Sequence, residues 1–408
     1  MIKNILIAQK QELEVRFKEQ YIERKVSLNK LEGSMIKVIM GPRRAGKSFF
    51  ALHLLKKRGD FGYLNFDDER LIDVKDYDVF IEAINTIYKN PKSILFDEIQ
   101  NLPKWELFVN RMQRQGFNLF ITGSNSRLLS KELATHLTGR HFLLNIFPFS
   151  FKEYLETAKM ELTSTQIKER LYNFIINGGY PEPLIKNIDY KEYISALYNS
   201  IIYKDIIKRY KIRFAQGIED LGHYLLSNVA SEYSYNSISK MTKVKSIHTI
   251  EKYLGYLEEA YILFSLKRFS YKVKEQITFN KKIYSIDNGF INAKAFKFIQ
   301  NFGKLYENIV AIELKKKEID HKFNFYYWKN QQQEEIDFIV QEGIKIKQLI
   351  QVCYDINNLE TKNREIRALV KGGKELRCKD LLIITEDYEN KENVEWFGDK
   401  ATIKYIPL

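Results

Sequence analysis

Residues 41–48 read Gly41-Pro42-Arg43-Arg44-Ala45-Gly46-Lys47-Ser48 and fit G-x-x-x-x-G-K-[ST] at every fixed position. An apolar run at 35–40 precedes them, and a helical pattern at 48–57 follows. The residue types have a physical reason. The glycines let backbone N–H groups curl around phosphate oxygens, and the helix N-terminus adds partial positive charge. Lys47 reaches the β- and γ-phosphates of a nucleotide, and the Ser48 hydroxyl ligates Mg²⁺. The competing explanation is a chance match in an ordinary strand–turn–helix. A full match in the right context leaves little room for it. Arg43 and Arg44 either add charge toward phosphate or lie exposed, and their spacing does not choose between the two.

Ser93-Ile94-Leu95-Phe96-Asp97-Glu98 is an apolar strand ending in two carboxylates. In nucleotide hydrolases with such a loop, the first acid holds Mg²⁺, usually through water, and Asp97 takes that role. Glu98 then stands where a carboxylate polarises the attacking water. An Asp-Glu pair favours ATP over GTP, and the guanine-reading N-K-x-D pattern is absent. The next strand, 118–121, ends in Thr122-Gly123-Ser124-Asn125-Ser126. If it lies between the loop strand and the acidic strand, a polar group at its end senses the γ-phosphate. Ser124 is the first choice and Asn125 the second, against a plain polar turn. Arg140, in Leu137-Thr138-Gly139-Arg140, is either a charge-stabilising arginine in cis or in trans or a surface cation. Asp67 and Asp68, after the second strand, either line the site or, the preferred reading, form a solvated turn.

Strands at 35–40, 63–66, 93–96 and 118–122 alternate with helices at 48–57, 79–88 and 105–115. This predicts a parallel sheet with helices on both faces, hence an α/β fold. An amphipathic helix is expected over 8–26, with Leu13, Phe17, Tyr21 and Ile22 at helical spacing. From about 149 to 266 the pattern is mostly helical. It becomes mixed from about 283, with strands at 323–328, 336–340, 348–352 and 381–385. A length of 408 residues suits two or three domains, and 45% hydrophobic with 29% charged residues excludes a disordered composition. Cys353 and Cys378 are the only cysteines, so there is no disulfide framework and no C-x-x-C pair for zinc. No apolar run approaches the ~18–20 residues that span a bilayer. Lys3, Lys10, Glu12, Glu14 and Arg16 break up any signal-peptide core. A reduced cytoplasm, with no membrane partner, is the expected setting.

Taken together, several segments resemble the AAA-type core of a prokaryotic ATPase family related to the archaeal ATPases and to the signal-transducing STAND class. They are the loop at Gly41, the Leu-Phe-Asp-Glu-Ile-Gln run, the Thr-Gly-Ser-Asn segment, Gly139-Arg140 and Phe147-Pro148-Phe149-Ser150-Phe151-Lys152-Glu153-Tyr154-Leu155. Gly178-Gly179-Tyr180-Pro181 resembles that family's Gly-x-Pro element after the helical lid. Members commonly end in an uncharacterised domain resembling restriction endonucleases. The resemblance covers nearly the whole chain, and it implies ATP binding and hydrolysis with Mg²⁺.

The formal charge is +13, unevenly spread. Residues 201–290 hold 15 basic and 9 acidic residues, an excess equal to that of the first two hundred. Helices at 221–229, 237–241 and 246–259, followed by a β-wing over 267–282, make a winged-helix pattern. Ile250, Tyr253, Leu254 and Leu257 share an inward face. His248, Thr249 and Lys252 face outward and would meet double-stranded DNA through residues 235–282. Lys243, Lys245, Lys272 and Lys274 would suit phosphates. The same pattern serves equally as an internal lever or a subunit contact.

Glu307 on a helix, Asp337 on a strand and Gln351-Val352-Cys353 on the next follow the order of a restriction-type nuclease site, Glu, Asp, Glu-x-Lys. Gln351 replaces the second acid and Cys353 the lysine. A neutral amide is a poor Mg²⁺ ligand and a thiol carries no fixed positive charge, so these positions read as vestigial. The Gln-Val-Cys-Tyr-Asp segment, with Thr361 and Arg364-Glu365, resembles a recurring variant of the family. The expected organisation is an AAA-like P-loop core over 1–150, a helical lid and winged helix over 151–282, and a degenerate nuclease-like domain over 283–408. The expected function is an ATP-driven switch or motor coupled to DNA. The alternatives are a signalling ATPase with a protein partner or homo-oligomer and, last, an ATP-dependent nuclease.

Overall fold

A computed structural model describes residues 2–26, 33, 35–123, 139–296, 301–396 and 398–408. The chain forms two compact units. The first comprises Met1–Arg170, Gly179–Asp189 and Glu259–Tyr261. The second comprises Leu171–Gly178, Tyr190–Glu258 and Ile262–Leu408.

The first unit is built on five parallel strands: β1 (Ile36–Met40), β2 (Phe61–Asn65), β3 (Ser93–Asp97), β4 (Asn118–Gly123) and β5 (His141–Asn145). Their order is β2-β3-β4-β1-β5. β4 therefore lies between the loop strand and the acidic strand, as the reading of its end required. Side chains alternate across a strand. Val38, Met40, Ile94, Phe96, Leu119 and Ile121 fill one core, while Ile39, Leu95 and Phe120 fill a second. α1 (Ile2–Arg16), α3 (Asp78–Tyr88) and α4 (Trp105–Arg114) contribute Ile5, Leu6, Phe80, Ile84, Trp105 and Phe108 to the first core. α2 (Lys47–Arg58) contributes Phe50, Ala51 and Leu55 to the second. Burial on both faces is why β1 to β4 read as continuous apolar runs, whereas β5 is mostly half-buried and does not. Each fully buried Ile, Leu or Phe contributes about 1.5–3 kcal/mol. The fold is α/β, with the parallel sheet of a P-loop NTPase, then a helical region and a mixed-sheet C-terminal part.

The expected helix at 8–26 is corrected. α1 starts at Ile2 and ends at Arg16, where the bonds tighten to Lys18 N–H onto Val15 and Glu19 N–H onto Arg16. Tyr21 stacks on His53 at 3.9 Å and Ile22 is buried, but both lie on irregular chain beyond the helix. Packing alone produced their helix-like spacing.

The second unit begins its long run at Tyr190–Ser200, continues as a π-helical stretch, Ile201–Ile207, and ends at Tyr210. Helices Ala215–Ser227, Tyr235–Met241 and Ile247–Glu259 follow, the last closing at the unit boundary. β6 (Ser231–Tyr233), β7 (Leu263–Leu266) and β8 (Lys281–Ser285) make an antiparallel sheet in the order β6-β8-β7. The β-wing expected over 267–282 is corrected, because the segment between β7 and β8 carries a helix, Val273–Thr278. Residues 302–408 form a six-stranded mixed sheet. Its strands are β9 (Asn324–Lys329), β10 (Glu335–Glu342), β11 (Lys345–Val352), β12 (Leu381–Thr385), β13 (Asn390–Trp396) and β14 (Asp399–Pro407). Their order is β13-β14-β12-β11-β10-β9. Helices Phe302–Ile319 and Leu359–Glu375 accompany it. No helix among the described residues is long and apolar enough to cross a membrane.

Candidate active site

The loop after β1 is shaped by its glycines. Gly41 has φ +146°, and a Cβ there would sit 1.9 Å from the Ile146 carbonyl oxygen. Gly46 has φ +93° and stands as the residue before α2, in the left-handed region that glycine adopts without strain. α2 opens at Lys47, so its first backbone N–H groups have no partner within the helix and face the loop. Lys47 is 4% exposed, and its ammonium donates to the Pro42 carbonyl at 2.8 Å. Arg44 is in the left-handed region and lies 3.5 Å from Glu182, so it is a surface ion pair.

Three elements converge on Asp97 at the end of β3. Ser48 Oγ donates to one carboxylate oxygen at 2.7 Å, Thr122 Oγ1 donates to the same oxygen, and Tyr63 donates to the other at 3.2 Å. Burial, reinforced by the charge of Glu98, pushes the Asp97 carboxyl above its usual range, against the pull of the Thr122, Ser48 and Tyr63 hydroxyls. A bound divalent cation works in the opposite direction, favouring the carboxylate. The donors are hydroxyl and carboxylate oxygens, the hard set that Mg²⁺ takes, so Ser48 and Asp97 fit that ion.

Glu98 has φ +50°, a left-handed conformation that ends the extended run of β3 and opens the short turn Ile99–Asn101. Its backbone N–H donates to Thr122 Oγ1 at 3.0 Å, and its carboxylate accepts from the Gln100 amide at 2.5 Å. The Thr122 hydroxyl thus touches both acids of the pair. Ser124 and Asn125 lie outside the described residues. Arg140 is exposed, and its carbonyl accepts the Ile36 N–H at 2.9 Å at the start of β1. Asp68 is bound up with Arg70 at 2.6 Å and caps a short turn, as a polar turn would.

Arg24 supports the loop. It is 8% exposed, donates to the Ala45 carbonyl at 3.1 Å and to the Phe147 carbonyl, and pairs with Glu153 at 3.2 Å. Glu153 also accepts the Lys25 N–H at 2.8 Å and closes a capping box with Ser150. Removing one partner of a buried pair leaves the other charge uncompensated, at a cost of about 3–5 kcal/mol. Arg24→Ala is therefore expected to destabilise the protein by about that amount in urea unfolding. A change below about 1 kcal/mol would show the pair to be structurally idle.

In the second unit, the positions expected to be vestigial do come together. Glu307 and Asp337 both face Lys282, whose ammonium is buried on β8. Burial, with Asp337 adding to it, pushes the Glu307 carboxyl up to about 7 against Lys282. Gln351 accepts the Asp337 N–H at 2.6 Å and donates to Glu365, which Arg364 holds at 2.6 Å. Burial pushes the Cys353 thiol up to about 12, so it carries no charge near neutrality.

These features have relatives. Residues 33–155 match the family model of an AAA domain, which covers the loop, Asp97, Glu98 and Thr122. Residues 168–298 and 302–405 each match a domain of unknown function. An uncharacterized protein of Methanocaldococcus jannaschii is 36% identical over 97% of this chain and 92% of its own length. The chain belongs to that protein's family. A second member, an uncharacterized protein of Haemophilus influenzae, is 31% identical over 85% of the chain and 89% of its own length. Among solved structures, a Walker-type ATPase of Pyrococcus abyssi is similar at 15% identity and a TM-score of 0.40, covering 63% of this chain and 90% of that one.

Four residues of this family member's site escaped sequence reasoning: Arg24, Tyr63, Thr122 and Gln100. Thr122 carried a signal. It opens the Thr122–Ser126 segment at the end of a strand placed between loop and acid, where Ser124 and Asn125 were preferred to it. Arg24 and Tyr63 carried none, since their roles depend on contacts with residues 21 or more positions away.

Proposed function

We propose that the chain binds ATP at residues 41–48 and hydrolyses it, with Ser48 and Asp97 holding Mg²⁺. The observation that carries this reading is the convergence of Ser48 and Thr122 on the buried Asp97 carboxylate. Mg²⁺ supplies charge neutralisation at the phosphates when bound. Lys47 would neutralise β- and γ-phosphate charge, and the loop N–H groups would fix the phosphate chain. Glu98 would accept the proton of the attacking water, oriented by Gln100 through its carboxylate and by Thr122 through its backbone. Arg140 would add positive charge at the phosphates from the same chain or a neighbouring copy, and Ser124 would sense the γ-phosphate. The segments would divide the work as an ATPase core over 1–150, a lid and winged helix over 151–282, and a nuclease-like scaffold over 283–408. The cytoplasm would be its compartment.

ATP turnover would serve as a switch coupled to DNA through residues 235–282. The element order, three helices and a three-stranded antiparallel sheet, supports the winged-helix part of this reading. Ile250, Tyr253, Leu254 and Leu257 are buried while His248 and Lys252 are exposed, so one helix presents a polar face. A second reading, contact with a protein partner or another copy, has its own observation. Tyr271, Val273 and Ile277, in and beside the helix that replaces the wing, are 70%, 71% and 67% exposed. Lys272 is paired with Glu275, and Lys245 donates to the Ser239 and Thr242 carbonyls, so both have partners within the protein.

The test is the ATPase rate with and without double-stranded DNA across a salt series. DNA coupling predicts stimulation that falls steeply between about 50 and 200 mM salt as phosphate contacts are lost. A rate indifferent to DNA at every salt concentration rejects the coupling and leaves the protein-contact reading.

A further inference from the structure

Lys282 is 2% exposed and donates or pairs in three directions. Its ammonium lies 2.9 Å from Glu307 Oε1, 2.6 Å from Glu335 Oε1 and 3.2 Å from Asp337 Oδ1. Two of its N–H groups donate to Glu307 and Asp337, and Glu335 adds a third carboxylate as an ion pair. Burial works against the charge, but Glu307, Tyr284, Asp337 and Glu335 outweigh it and hold the ammonium well above its ordinary range.

The surroundings are built to keep this arrangement. Tyr284 donates to Glu307 Oε1 at 2.7 Å. The second Asp337 oxygen accepts the Val352 N–H at 3.0 Å. Gln351 bridges the Asp337 N–H, the Glu335 carbonyl and Glu365. Arg364 takes up the other Glu365 oxygen. The carboxylates come from a helix and a strand, and the cation comes from β8, more than 20 residues earlier.

We infer that Lys282 is the resident cation of this carboxylate cluster, filling the place a divalent metal would take, so that the C-terminal sheet functions without metal. The converging oxygens are of the hard type that Mg²⁺ and Mn²⁺ bind. An ammonium hydrogen-bonded to Glu307 and Asp337 and ion-paired with Glu335 occupies the point where their oxygens converge, the place a second cation would need. Removing the lysine converts the cluster into an open hard-cation site. The inference also takes Lys282 out of any DNA-contacting set within 235–282, because its charge is internal.

The experiment titrates Mn²⁺ into nucleotide-free, chelator-treated full-length protein and follows free Mn²⁺ by electron paramagnetic resonance. Lys282→Ala is expected to bind one more Mn²⁺ per chain than wild type, and Lys282→Ala with Asp337→Asn is expected to lose it again. Mn²⁺ should also raise the melting temperature of Lys282→Ala and not that of wild type. Should Lys282→Ala fail to fold even with Mn²⁺, Lys282→Ala with Glu335→Gln, which leaves one fewer unpaired carboxylate, is titrated by the same criteria. Equal Mn²⁺ stoichiometry in the folded variant and wild type overturns the inference. So does a wild-type Mn²⁺ site that disappears with Asp337→Asn alone, or a failure of both variants to fold with Mn²⁺.

Discussion

Replacing Lys47 by alanine is expected to weaken ATP binding at least about a hundredfold, or near 3 kcal/mol. The lysine is the first residue of α2 and is almost fully buried, so its ammonium is held over the loop rather than free to search for phosphate. Charge-assisted bonds from such a group contribute about 1.5–3 kcal/mol each, and the lysine would reach two phosphates. The variant also leaves the Pro42 carbonyl without that donor, a secondary loss in the unbound protein. Equilibrium binding of ATP by calorimetry, with circular dichroism as a folding control, checks it. A folded Lys47→Ala protein that binds ATP within threefold of wild type would remove the loop from the binding account.

Glu98→Gln separates binding from chemistry. A glutamine at 98 keeps the size of the side chain, and its carbonyl can still accept from the Gln100 amide. The backbone bond to Thr122 is untouched by the change. Nucleotide affinity should therefore stay within about threefold, while turnover falls by about 10²–10⁴, the range for losing a general base. Steady-state phosphate release and nucleotide binding on one preparation give both numbers. Normal turnover in the variant would end the role assigned to Glu98. Loss of binding together with turnover would make Glu98 a structural residue instead.

The first unit was legible because its signals are local. The phosphate loop, the apolar β3 and each strand–helix step are short-range patterns, and two-sided burial makes β1 to β4 visible apolar runs, while the half-buried β5 went unread. The acidic pair was found for the same reason. What failed depended on long-range packing. Ile22 is buried and Tyr21 half-buried as helix residues would be, yet α1 has already ended, and that irregular exit leads to Arg24 beneath the loop. Strands β13 and β14 went unread because their outward positions are charged and only a few residues, such as Ile403 and Tyr405, face the core. The helix in place of the wing was hidden by its exposed apolar residues, which carry no periodic burial signal. Lys282 was counted as one basic residue among many. Nothing in its neighbourhood in sequence marks it as the partner of Glu307 and Asp337.

The central claim is that Ser48, Asp97 and Glu98 form one Mg²⁺-dependent ATP-hydrolysing site. The most direct measurement is phosphate release from ATP by the wild-type protein, with Mg²⁺ and with the ion chelated, beside Asp97→Asn. The account predicts release with Mg²⁺ that falls to background on chelation and is lost in Asp97→Asn. Release that survives both chelation and Asp97→Asn, or no release by wild type with Mg²⁺, would contradict it.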